Sequence, residues 1–346
     1  MINNILYSSV YYGILLTAIC LSTMRCKSFS QKSTELTFDQ YIDSVNKLED
    51  DSLYLDAKRL TLNYINSFEK NWFTVSKELI YINEKLSEYE ENINIFSEGH
   101  EKGFFYLIHP RLPKFKPYLT LHNFDAIATN DQRLRTKANN RSETLFEVDL
   151  PENYSEKKEY PIILIFHGGG SNLKKAKQHW NAPILDTGFI KVYLQSYIHY
   201  DSRTFGWRSG DSKNDSAVLH IFQEILLNNN VDRNRIMVAG ISAGGTYASD
   251  MALRQIIPVS GVITFCQGIP AFVTSDSTTI LTNVNTIHYL VGGENDFYLP
   301  RQKQLTTIFD SNNILYKYVI ENSMGHQYPE NENYYILEGV NYIFTN

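Results

Sequence analysis

The chain has 346 residues, 43% of them hydrophobic, which is enough for one large domain with a smaller accessory segment and too apolar for a disordered chain. Its 32 basic and 38 acidic residues leave a formal charge of −6 with no long run of either sign, which argues against nucleic acid or an anionic membrane surface as a partner. No metal-ligand cluster, phosphate-binding loop or dinucleotide fingerprint occurs in the sequence, so no cofactor and no metal are expected.

The N-terminus carries an apolar stretch from Ile5 to Leu21, broken by Tyr, Ser and Gly and too uneven for a membrane span, so it reads as an export signal. Arg25 and Lys27 follow this stretch where basic residues would ordinarily precede it. Ser28-Phe29-Ser30 puts small residues at the two positions a signal peptidase reads, making 1–30 the signal and Gln31 the mature N-terminus. Export to the periplasm, cell surface or medium is expected, with no integral membrane domain. Ile19 and Arg25 are poor neighbours for lipid attachment at Cys20 or Cys26, so a lipid anchor is not favoured. Cleavage would leave only Cys266, which excludes an internal disulfide.

From Thr37 to about Gly99 the sequence is charged and helical in pattern, and two or three helices are implied. Leu79, Ile82, Leu86, Tyr89, Ile93 and Phe96 recur at alternating three- and four-residue spacing, which puts all six on one stripe of a helix. A helical hairpin docked on the following domain would bury that stripe, and a dimer contact is the alternative. Gly103 to Ile108 reads as a short aromatic strand. Pro110, Pro113 and Pro117 then break regular structure, and Leu112 to Ala138 reads as an irregular connector.

From Ser142 onward short apolar runs alternate with helical segments, the pattern of a mostly parallel sheet wrapped by helices. The runs are Leu145 to Leu150, Ile162 to Phe166, Phe189 to Leu194, Ile236 to Ala239, Val262 to Phe265, Ile287 to Val291 and Tyr316 to Ile320. Helices are expected at Leu173 to Ile184, Asp215 to Leu227, Ser242 to Ile256, Arg301 to Phe309 and Asn333 to Phe344. Ligands bind at the carboxyl ends of such strands.

The chemistry-bearing residues fall at those ends. His167-Gly168-Gly169-Gly170 follows the second run, and a glycine turn there lets backbone N–H groups approach an oxyanion closely. Gly169 and Ala243 are the candidate oxyanion donors, with Gly168 or Gly170 as substitutes for Gly169, while His167 is expected to brace the loop. The long segment from Tyr197 to Asp215 holds Trp207, a candidate substrate-facing wall whose alternative is a plug between loop and core. Gly240-Ile241-Ser242-Ala243-Gly244-Gly245 lies directly between a strand and a helix, the context a G-x-S-x-G nucleophile elbow requires. Asp296, closing Gly292-Gly293-Glu294-Asn295-Asp296, is favoured over Glu294 as the acid, and His326, after the last strand, is the base.

These residues, with Tyr160-Pro161 before the glycine turn, resemble the α/β-hydrolase superfamily, in particular its secreted carboxylesterase-like members. The elbow is also similar to that of polyhydroxybutyrate depolymerase and of feruloyl or acetylxylan esterase relatives. The resemblance covers about Ser142 to Asn346. It implies an α/β-hydrolase fold over 142–346, preceded by a helical segment and connector over 31–141, and cleavage of carboxylic esters, including polysaccharide-linked ones, through an acyl-Ser242 intermediate. Two rival readings stay open: a serine peptidase of the prolyl-peptidase type, and a silent hydrolase fold kept for binding.

Overall fold

The computed structural model describes residues 36–273 and 285–346. The expected signal and its cleavage point, with Cys20 and Cys26, lie outside the described residues.

Five helices precede the sheet: α1 (Phe38–Asp50), α2 (Tyr54–Tyr64), α3 (Trp72–Lys85), α4 (Tyr89–Glu101) and α5 (Phe124–Arg141). Thr37 starts α1 with a capping box, its hydroxyl accepting from Gln40 N and the Gln40 side chain accepting from Thr37 N. Four helices, not two or three, therefore fill 37–101. The six-residue stripe does not lie on one helix, because the chain turns at Ser87 (φ +61°), where Glu88 N bonds Asn83 O (2.8 Å) and closes α3. Ile82 then packs with Tyr41, Val45 and Val75, while Phe96 joins Phe73, Tyr106, Phe115 and Phe124. The helical segment thus has its own apolar interior.

The segment Gly103 to Ile108 is not a strand. Buried Asp131 of α5 takes the N–H groups of Tyr106 (2.6 Å) and Ile108 (2.9 Å), so these donors go to a carboxylate instead of a neighbouring strand. Nor is Leu112 to Ala138 irregular. It holds a 3₁₀ turn (Pro113–Tyr118) and most of α5, a largely polar helix that buries only Phe124, Ile127, Ala128 and Asp131 and so shows little periodicity in sequence.

All seven expected strand runs form one sheet: β1 (Leu145–Asp149), β2 (Tyr160–Phe166), β3 (Ile190–Gln195), β6 (Val231–Ile241), β7 (Gly261–Phe265), β8 (Ile287–Gly293) and β9 (Tyr316–Glu321). Between β3 and β6 a small hairpin, β4 (His199–Asp201) and β5 (Thr204–Phe205), stands apart. The order is β1-β3-β2-β6-β7-β8-β9, with β1 antiparallel and all other neighbours parallel. Strands β2 and β7 are buried along their whole length, as expected for strands covered on both faces.

Alternation along β2 divides two cores. Ile163 and Ile165 face α6 (Leu173–His179), α7 (Pro183–Gly188) and α11 (Glu332–Thr345); Ile162, Leu164 and Phe166 face α8 (Ser212–Asn228) and α9 (Ser242–Leu253). Helix α10 (Leu299–Ser311) packs Leu305 and Phe309 on Leu290 and Leu253. The single helix expected over Leu173 to Ile184 is two, because Pro183 starts a new helix and buried Trp180 plugs the break against Phe265.

This is the α/β-hydrolase fold. Winding runs from β2 outward to β3 and then crosses back to β6, so the strand order reverses between β2 and β6. In such sheets the loops at the carboxyl ends of the strands on either side of that reversal are where ligands bind. Among the described residues no helix is long and apolar enough to cross a membrane.

Candidate active site

Phe166 and Gly240 are register partners at the ends of β2 and β6, so the glycine turn and the elbow emerge side by side. The elbow is tight. A side-chain carbon on Gly240 would sit 2.6 Å from Phe166 O, and one on Gly244 would sit 2.3 Å from His167 O, so neither position accepts a larger residue. Ser242 between them has φ +53°, a left-handed backbone that costs a non-glycine residue on the order of 1–3 kcal/mol and lifts its side chain clear of the sheet.

The structure brings Ser242, His326 and Asp296 together. His326 Nε2 lies 2.7 Å from Ser242 Oγ, and His326 Nδ1 lies 2.8 Å from Asp296 Oδ1. The Asp296 side chain is fully buried and also accepts from Tyr298 N (2.8 Å) and Gln302 Nε2 (2.9 Å). A buried carboxylate so placed fixes the imidazole with Nδ1 protonated and Nε2 free to accept from the serine. Glu294, the competing acid, is exposed and accepts from Ser323 N (3.0 Å) instead.

Gly168 and Gly169 lie against the elbow. A side-chain carbon on Gly168 would come 4.0 Å from Ser242 Cβ, and one on Gly169 would come 3.4 Å from Ala243 Cβ. Ala243 is in the first turn of α9, where backbone N–H groups have no acceptor within the helix. Gly170 is not available as a donor, because its N–H bonds Phe205 O (2.9 Å). His167 braces the loop: it is buried, its Nδ1 lies 2.7 Å from Gly168 O, and burial lowers its pKa to about 4.

Trp207 is not a substrate-facing wall. It is 5% exposed, stacks on Tyr247 (centroids 4.8 Å apart) and meets Phe166 edge-on, so the loop tryptophan plugs the core. Trp180 packs likewise.

Several residues at the site gave no sequence motif. Phe297 is 67% exposed with its ring 4.2 Å from that of His326, and Tyr298 meets the same imidazole edge-on at 5.2 Å. Both directly follow Asp296. Gln302 lies six residues on, in α10, and accepts from Tyr318 OH (2.7 Å) while donating to Asp296. Cys266, at φ +48° after β7, is buried with Sγ 3.3 Å from Gln327 O on the His326 loop. Burial and the adjacent Asp296 push its thiol up to about 12. Cys266, Asp296 and His326 each offer a donor atom within 4.8 Å of the others. Two of these are engaged in the His326–Asp296 hydrogen bond and the thiol is held protonated, so the set suits that bonded chain better than a cation.

No protein-family model matches the chain. Among curated proteins, feruloyl esterase D of Neurospora crassa is 26% identical over 157 residues, covering 40% of this chain. The match covers 52% of that relative, so the chain spans about half the length of the curated protein it matches. Among solved structures, a Bacillus cereus protein titled uncharacterized aligns with 89% of this chain and 99% of its own, at 19% identity and TM-score 0.49. The Bacillus cereus carboxylesterase covers 61% of this chain and 99% of its own, at 16% identity and TM-score 0.48. A ferulic acid esterase covers 59% and 98%, at 15% identity and TM-score 0.45.

Proposed function

We propose that this chain is an exported serine esterase whose domain over 142–346 cleaves carboxylic esters through an acyl-Ser242 intermediate. The observation that carries the reading is the unbroken hydrogen-bonded chain Ser242–His326–Asp296, set on a strained elbow at the sheet's reversal point. The likeness to a protein named feruloyl esterase D supports an ester as the substrate class.

In the first step Ser242 Oγ attacks the acyl carbon while His326 Nε2 takes its proton, and Asp296 stabilises the imidazolium that forms. The N–H groups of Gly169 and Ala243, with Gly168 beside them, hold the oxyanion. His326 returns the proton to the leaving alcohol, and the acyl group stays on Ser242. Water then attacks the acyl-enzyme, giving its proton to His326, and collapse releases the acid and restores the serine.

A chain-length series of p-nitrophenyl esters, run beside methyl ferulate, acetylated xylan and a Pro-linked peptide amide, tests this on wild type and Ser242→Ala. Turnover of esters alone is expected, with kcat lowered by ~10⁴-fold or more in the variant. Cleavage of the amide would make the protein a peptidase, and no turnover by folded protein would make it a binding protein.

A further inference from the structure

The β4–β5 hairpin touches the glycine turn on one side and the N-terminal helices on the other. On the inner side Gly170 N donates to Phe205 O (2.9 Å) and Phe205 N to Ser171 O (2.8 Å). Tyr200 of β4 covers the same turn. A side-chain carbon on Gly169 would lie 3.1 Å from Tyr200 Cε2, 3.3 Å from its Oη and 3.4 Å from Ala243 Cβ. The tyrosine ring therefore packs where turn and elbow meet. Gly206 backs it, since a side-chain carbon there would fall 2.1 Å from Cε1.

On the outer side the hairpin is fastened to helices distant in sequence. Asp201, buried, accepts from Lys77 Nζ of α3 (2.6 Å) and orders the hairpin bend by accepting from Arg203 N and Thr204 N (2.9 Å each). The Arg203 guanidinium reaches back to Lys70 O (2.7 Å). Ser202 N donates to Phe105 O (3.0 Å), and Phe105 N donates to Ser202 Oγ (2.7 Å).

A turn made of three glycines has no side chains with which to fix its own peptide planes, so an outside surface must do so if its N–H groups are to stay aimed. We propose that Tyr200 is a positioning residue that holds the Gly168–Gly170 turn against Ser242–Ala243, and that the N-terminal helices act on the active site by holding this hairpin. The inference rests on the reading of Ser242 as nucleophile.

The test compares wild type, Tyr200→Phe, Tyr200→Ala and the double variant Lys77→Met with Arg203→Met, on p-nitrophenyl butyrate, with thermal unfolding measured alongside. Misplacing the donors should lower kcat of Tyr200→Ala by ~10- to 100-fold with KM within about twofold. Tyr200→Phe, which keeps the ring, should recover kcat to within about threefold of wild type. The double variant alters only exposed or half-exposed side chains and should lose kcat by roughly three- to tenfold, again without a matching change in KM. It decides the matter should Tyr200→Ala not fold. Undiminished kcat in folded variants, or a loss confined to KM, overturns the inference alone. Absence of Ser242-dependent turnover in wild type overturns the proposed function and the inference with it.

Discussion

Asp296 shows how much the setting of the carboxylate proposed to orient His326 depends on the residues packed behind it. Its carboxylate receives His326 Nδ1, Tyr298 N and Gln302 Nε2, and the glutamine is itself held by Tyr318 OH. Gln302→Ala removes a donor from a buried anion. A hydrogen bond to a charged group is worth roughly 1.5–3 kcal/mol, so kcat should fall by about tenfold or more with KM little changed. Asp296→Ala should lose most activity while Glu294→Ala keeps it, and the opposite result in steady-state kinetics would reassign the acid. Sequence favoured Asp296 but left Glu294 in play, because both follow the same strand and precede His326; only the geometry, with Asp296 on His326 and Glu294 on Ser323 N, separates them. The place of Gln302 could not be read from sequence, because a glutamine inside a helix carries no motif until the helix is docked.

At the scale of elements, polar side chains decide where helices stop and how they join. Arg254 donates to Asp215 of α8 (2.7 and 2.9 Å) and to Asp250 of α9 (2.9 Å through Nε), while Asp250 also accepts from Ser209 Oγ (2.5 Å) and Gly210 N (3.1 Å). This one guanidinium thus ties two helices that flank β6 to the loop before α8. Arg254→Met leaves the fully buried Asp250 without its cation and should cost about 3 kcal/mol or more in chemical denaturation. Ser87 is the opposite kind of site. Its left-handed backbone is strained for serine, so Ser87→Gly should raise the unfolding free energy by about 0.5–1 kcal/mol. The inner strand runs β2, β3, β7 and β8 were legible because burial on both faces demands apolar residues in short blocks. Helix α5 and the segment held by Asp131 were not, since a buried carboxylate looks like a surface residue in sequence.

Across the whole molecule, two histidines buried in the hydrolase fold make folding sensitive to acid. Burial lowers His288 to about 3 and His167 to about 4, from an ordinary value of 6.5. Unfolded chains bind these protons first, so stability is full above about pH 6.5. It is lost as pH falls towards 4, by roughly 1.4 kcal/mol per pH unit for each histidine. Neither ring nitrogen of His288 has a partner among the described residues. His288→Leu should therefore flatten the acid limb of a stability–pH curve by about half and leave stability at pH 7 undiminished. The sequence by itself determined the sheet, the elbow, the glycine turn and, of the hydrogen-bonded chain, Ser242 and His326. Each of these follows from local pattern and chain order, which do not depend on how distant segments meet. Only the tertiary structure decided that Trp207 is a core plug, that Gly170 is occupied by Phe205 and that the β4–β5 hairpin, fastened to the N-terminal segment, packs on the glycine turn. Those are facts about surfaces brought together from far along the chain, and side-chain identity alone does not say what will cover it.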